Sequence, residues 1–161
     1  MQMLVLTSAV ANGGAIYTPL VLKSVNTADG AVVVQSKQRL TGRLPIGKQT
    51  FRIIKKGLSG VVNSPKGTGR IAHIDGFSVS GKTGTAQVVG RGKDPNWSDK
   101  NLPDHLKAHA WFVAYAPSEN PQIAVAVVVE HGEHGSSAAG PIAREIIRTY
   151  LKKDELQPRL Q

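Results

Sequence analysis

The chain has 161 residues, 40% of them hydrophobic and 19% charged, with a formal net charge of +9; this length and balance suit one folded domain and exclude a disordered segment. It has no cysteine, which excludes disulfides and thiolate metal centres, and its longest clean apolar run, Ile123 to Val129, is far short of the roughly 18 residues of a membrane span. The positive charge would suit nucleic acid, anionic lipid or an anionic polymer, but the basic residues are scattered and the aromatics few, so no nucleic-acid partner is expected.

Taken in chain order, Met3, Leu4, Leu6, Val10 and Ala11 fall near helical spacing and Asn12-Gly13-Gly14 supplies a left-handed stop, so a helix is expected first. No basic stretch precedes its apolar part, so a secretory signal is not expected here, and any export signal or anchor is expected upstream. Ile16 to Val25 and Ala31 to Val34 flank Asp29-Gly30 and predict a β-hairpin. Gln49 to Val62 places Phe51, Ile53, Ile54, Leu58, Val61 and Val62 among basic residues, the pattern of an amphipathic helix that tolerates Gly57 and Gly60. Phe77, Val79 and the run Thr83 to Val89 predict a strand. Two more strands, Ala110 to Ala116 and Ile123 to Glu130, are joined by a Pro-Ser-Glu-Asn-Pro loop, and the second is apolar enough to be buried on both faces. Pro141 opens a closing helix, Ile142 to Leu151, with Ile142, Ile146, Ile147, Tyr150 and Leu151 on one face. The fold class expected is α+β, an antiparallel sheet covered by helices.

One lysine admits two chemistries. Gly76 to Thr83 spells the phosphate-binding string G-x-x-x-x-G-K-[ST], and Ile123 to Glu130 can pose as the strand with a terminal acid that such folds use. That loop requires a helix beginning at Lys82, so that backbone N–H groups and the helix dipole face the phosphates. The residues that follow, with Gly84 and the β-branched Thr83, Thr85, Val88 and Val89, disfavour a helix. Written on a strand, the same residues offer an ammonium from Lys82, two hydroxyls from Thr83 and Thr85 on one face, and at Gly84 room for a ligand backbone. Gln87 continues that face by period two. The set suits the anionic end of a peptide.

Ser80-Gly-Lys-Thr-Gly-Thr-Ala-Gln-Val88 resembles the third signature of the serine penicillin-recognising enzymes, which gather S-x-x-K, S-x-N and K-T-G around one site. Ala11-Asn-Gly-Gly14 with Thr18-Pro19, Gly60 to Gly69, His109 to Pro117 and Asn120 to Val125 resemble the class B, elongation-type penicillin-binding protein 2 family. The likeness covers residues 1–151, as the C-terminal portion of a transpeptidase domain, and leaves 152–161 as a tail. The chain reads Ser136-Ser-Ala-Ala-Gly-Pro141 where relatives often carry paired glycines and Ala-Ala-Pro.

The resemblance implies an α/β transpeptidase fold of the β-lactamase and penicillin-binding-protein kind, and a D,D-transpeptidase that cross-links peptidoglycan stem peptides through a serine acyl-enzyme. It implies that Lys82 supplies positive charge and assists proton transfer, that the Thr83 and Thr85 hydroxyls hold the substrate carboxylate, and that the Thr85 N–H is an oxyanion donor. Lys82 and Thr85 are thus the catalytic candidates; Thr83, Gly84, Thr85 and Gln87 are the substrate-binding ones. The implied partners are D-Ala-D-Ala stem peptides, β-lactams, a membrane-embedded glycan polymerase and other elongation-complex proteins, at the periplasmic face of the bacterial inner membrane, with no cofactor. No S-x-x-K occurs in the sequence, and Ser24-Val-Asn26 and Ser118-Glu-Asn120 match S-x-N only as strings. The isolated chain is expected to be inert. A P-loop nucleotide-binding domain and a basic wall- or membrane-binding scaffold are the alternatives.

The remaining candidates have plain readings. His131 with His134 and His105 with His109 lack a third ligand, so no metal is expected. Trp111, Phe112 and Tyr115 read as strand packing, Lys66 to Arg70 as a surface turn, and Trp97 as an anchor for a long loop over Gly90 to Lys107.

Overall fold

A computed structural model describes residues 1–90 and 102–156, the side chains of 153–156 excepted; Trp97 and most of the loop expected around it lie outside the described residues. The first helix, α1, runs Gln2–Ala11 and stops where expected. Gly13 and Gly14 take φ of +81° and +107°, and Asn12 bridges the exit, its side chain donating to the Ala15 carbonyl at 2.9 Å and accepting from the Ala15 amide at 2.8 Å. Its buried residues are Thr7, Ala9 and Ala11, while Met3 and Leu6 are exposed. Small residues, not the large ones that mark the periodicity, let the helix approach the sheet.

The hairpin differs from expectation. Ile16 to Val25 is not one strand: β1 (Ala15–Tyr17) ends before Pro19, which has no N–H to donate, and the chain re-enters a ladder as β2 (Ser24–Asn26). β2 pairs with β3 (Val32–Gln35) around a turn closed by Gly30 N–H to Thr27 C=O, with Gly30 at φ +91°. A further strand, β4 (Leu40–Arg43), pairs antiparallel with β1; its sequence, Leu-Thr-Gly-Arg, has no period-two signal.

Helix α2 (Lys48–Asn63) confirms the amphipathic reading. Two side chains fix its place. The Lys55 ammonium donates to the last carbonyl of α1, Ala11, at 2.7 Å, where a helix C-terminus favours a cation. The Asn63 amide donates to the Val79 carbonyl at 2.8 Å, tying the end of α2 to the residue before the next strand. The Lys66 to Arg70 segment packs inward more than a surface turn does. The Gly69 amide bonds the Val61 carbonyl at 3.0 Å, and Arg70–Ala72 forms a 3₁₀ turn with Ala72 fully buried.

The main sheet is antiparallel, in the order β5 (Ser80–Ala86), β6 (His109–Ala116), β7 (Ile123–Val129). Central β6 buries Ala110, Phe112, Ala114, Tyr115 and Ala116 almost completely. On one face Phe112, Ala114, Val125 and Val127 form the core with Val62 of α2 and with Ala143, Ile147 and Leu151 of the closing helix α3 (Gly140–Leu156). α1 lies over the other face. The expectation that β7 is buried on both sides fails: Val125 and Val127 are buried on the core face, but Val128 on the opposite face is 46% exposed; among the described residues β7 pairs only with β6. The buried face of α3 also differs, with Ile142, Ile146 and Tyr150 each 44–45% exposed. Residues 143, 147 and 151 repeat every four positions, which makes one inward row, and α3 continues into the expected tail as far as Leu156.

Candidate active site

Lys82, Thr83, Gly84 and Thr85 lie in the middle of β5, whose outer edge has no partner strand among the described residues. Alternate backbone N–H and C=O groups of such an edge point away from the sheet and are free to pair with an extended ligand. No helix starts at Lys82, so the phosphate-loop geometry is absent and that alternative falls.

Residues opposite each other in an antiparallel pair share a face. Thr83 and Thr85 sit opposite Phe112 and Ala110, while Lys82 sits opposite Val113, so the two hydroxyls leave one face and the ammonium leaves the other. The Lys82 side chain returns along the edge, and its Nζ donates to the Thr83 carbonyl at 2.9 Å and to Thr83 Oγ1 at 3.3 Å. Cation and hydroxyl therefore meet at the exposed edge, and Lys82 makes no ion pair among the described residues. Gln87 is exposed beyond Ala86, where pairing with β6 ends, so its place on the threonine face is not carried by the ladder.

The Thr85 hydroxyl donates to the Glu133 carbonyl at 3.3 Å. A hydroxyl has one proton, so donation from Thr85 to a ligand carboxylate requires rotation away from Glu133. A cavity of about 360 Å³ opens beside the strand, between Met3 of α1, the backbone of Lys82 to Ala86, and Trp111 and Val113 of β6. Trp111 packs across the strands as expected, yet it also walls this cavity. A second cavity, of about 330 Å³, lies at the start of β5, where Arg52, Lys55 and Lys56 of α2 face Ser80, Ser118 and Glu119. Its floor is a buried hydroxyl pair, Ser80 Oγ to Ser118 Oγ at 2.8 Å. Of the two S-x-N strings, one lies in β2 and the other in the β6–β7 loop.

Behind Gly84 a supporting contact escaped the sequence. After β7 the chain makes a π-helical turn, Gly135–Ala139. A Cβ at Gly135 would stand 2.2 Å from the Trp111 carbonyl and 2.6 Å from the Gly84 carbonyl. Only glycine lets the turn rest on the strand. The Tyr115 hydroxyl is buried with no hydrogen-bond partner among the described residues, although Ser80, opposite it, is close enough to act on the phenol; burial dominates and holds its pKa above the ordinary tyrosine value. Across the two histidine sets, His109 and His131 meet, with ring centroids 4.8 Å apart. Among the described residues no three metal-ligating side chains gather.

Residues 1–148 match the family model described as the penicillin binding protein transpeptidase domain. The chain is 35% identical over 154 residues to the peptidoglycan D,D-transpeptidase MrdA of Haemophilus influenzae, an alignment covering 91% of this chain and 23% of that protein. Its fold superposes on the D,D-transpeptidase domain of a peptidoglycan glycosyltransferase from Eggerthella lenta with a TM-score of 0.73 and 32% identity, covering 97% of this chain and 32% of that one. Penicillin-binding protein A of M. tuberculosis, solved as a ceftriaxone acyl-enzyme, gives a TM-score of 0.71 at 28% identity, covering 91% of this chain and 31% of that one. The chain thus spans about a quarter of the length of the curated relatives it matches.

Proposed function

The chain belongs to the penicillin-binding-protein transpeptidase family, and on that premise we propose that it forms the carboxylate-binding wall of a peptidoglycan D,D-transpeptidase whose serine nucleophile lies outside these 161 residues. The observation that carries this is the extended Lys82-Thr83-Gly84-Thr85 on a sheet edge that has no partner strand among the described residues, with the Lys82 ammonium 3.3 Å from the Thr83 hydroxyl.

A stem peptide ending in D-Ala-D-Ala would lie along β5. Lys82 supplies positive charge at the end where the terminal carboxylate sits and assists proton transfer, and Thr83 and Thr85 donate to that carboxylate. The Thr85 N–H is one donor to the oxyanion of the tetrahedral intermediate, a donor of a kind worth about 10²–10³ in kcat. A β-lactam, carrying a carboxylate near its reactive carbonyl, would use the same edge. Gly84 is the position at which a ligand backbone can pass close, and Gln87 lies beyond it as a further substrate contact. The setting proposed is the periplasmic face of the bacterial inner membrane, beside a glycan polymerase and other elongation-complex proteins.

Covalent labelling by a fluorescent penicillin tests this. The 161-residue chain, with no S-x-x-K, takes up no label; the natural protein that contains it does, and Lys82→Ala strongly reduces the labelling rate while leaving the fold intact. Label on the short chain, or a rate indifferent to Lys82→Ala, overturns the proposal.

A further inference from the structure

Thr85 is held in place by a loop, and the loop by a histidine. Between β7 and the π-helical turn, His131 and Glu133 take φ of +57° and +59°, a left-handed backbone that non-glycine residues adopt only when their surroundings hold them there. Three contacts come from the segment that leads into β6. The His131 amide donates to His109 Nδ1 at 3.0 Å. The Glu133 amide donates to the Ala108 carbonyl at 2.9 Å, and His131 Nδ1 lies 3.2 Å from the Lys107 carbonyl. What the loop presents is the Glu133 carbonyl, the partner of the Thr85 hydroxyl. His109 is itself opposite Ala86, the neighbour of Thr85.

We propose that His109 is a positioning residue for Thr85, acting through the His131–Glu133 loop and only while its ring is neutral. A backbone N–H can only donate, so Nδ1 of His109 must keep its lone pair, with the ring proton on Nε2. Protonation sets N–H against N–H and removes the bond that holds His131 left-handed. His131 is wired the opposite way: its Nδ1 faces a carbonyl, so it is the donor there and keeps the contact when charged. Among the described residues the charged groups around the pair are Lys107, 2.8 Å from Asp104 and 4.0 Å from Glu133, with His105 next to Asp104. Acid therefore releases the loop at His109, and Thr85 with it. The claim deepens the proposed function, since it matters to catalysis only if Thr85 binds substrate.

Nuclear magnetic resonance on the 161-residue chain tests the device without any activity. In the wild type His109 is the Nε2–H tautomer at neutral pH, and the Thr85 and Glu133 amide resonances shift with the ionisation of the His109 ring. His109→Asn, whose Oδ1 accepts the same N–H and cannot ionise, retains the neutral-pH spectrum and loses that transition. His109→Leu loses amide protection at His131 at every pH; should it fail to fold, the tautomer and the asparagine variant decide alone. A proton on Nδ1 of His109 at neutral pH, or a Thr85 transition that survives His109→Asn, overturns the proposal. In the natural protein, the rate of penicillin acylation changes as His109 becomes charged, because the Thr85 hydroxyl is then no longer held on the Glu133 carbonyl, and it does not change across that range in His109→Asn. A flat wild-type profile across that ionisation overturns the positioning role. No acylation at all overturns the functional reading and leaves the resonance arms to judge this one.

Discussion

Replacing Gly135 by alanine adds one methyl group at the back of the Lys-Thr-Gly strand. That carbon would lie 2.2 Å from the Trp111 carbonyl oxygen, 2.6 Å from that of Gly84 and 3.0 Å from the Gly84 nitrogen. A carbon and a carbonyl oxygen rest at about 3.3 Å or beyond, so a gap of roughly 1 Å must open between the turn and the strand. All three atoms are backbone, and no rotamer change relieves the clash. Overpacking of this kind costs about 1–3 kcal/mol, which at this size lowers Tm by roughly 2–4 °C for each kcal/mol. The function should suffer more than the stability, because a misplacement of about 1 Å in a reacting geometry costs on the order of 10²-fold. We expect denaturant unfolding of Gly135→Ala to show the loss of stability, the Gly84 and Thr85 amide resonances to move, and penicillin acylation of the natural protein to fall about 100-fold. Stability within about 0.5 kcal/mol of wild type, together with unmoved Gly84 resonances, would show that the turn does not support the strand.

Two further predictions concern the core. Phe112 is fully buried at the centre of β6, and Phe112→Ala should cost about 3–5 kcal/mol in denaturant unfolding; a loss under about 1 kcal/mol would place the core elsewhere. Tyr115→Phe removes a buried hydroxyl that has no bonding partner and should stabilise the chain by about 1 kcal/mol. With its folded pKa raised by burial, Tyr115 contributes stability that is fully present below the unfolded tyrosine value of about 10 and is lost as pH rises through the folded value. Alkaline unfolding should therefore weaken in the phenylalanine variant; an unchanged alkaline limb refutes this.

Local signals located the elements where physics is local. The Asn12-Gly13-Gly14 stop and the helical period of α2 settle backbone conformation within a few residues and stand where they were expected; the stretch after Lys82 is extended as expected, but the strand runs Ser80–Ala86 and leaves Phe77, Val79, Val88 and Val89 outside it. Burial obeyed a different rule. Of the face expected to be inner on the closing helix, Ile147 and Leu151 are inside, joined by Ala143, while Ile142, Ile146 and Tyr150 are exposed, because which row of a helix is covered depends on the sheet it meets. For the same reason β7 reads as a doubly buried strand but leaves Val128 exposed on the face away from the core.

β-Propensity and the period of two are enough to put an ammonium, two hydroxyls and a glycine on one extended strand. Packing sets the rest: the Lys82 ammonium curls back to Thr83, Gly135 props Gly84 from behind, and His109 holds His131 and, through Glu133, Thr85. Those contacts join residues 22 to 51 positions apart, except for the first, which depends on the outer edge of β5. Distances of that kind are set by strand order, register and a left-handed loop, none of which any short stretch of residues encodes.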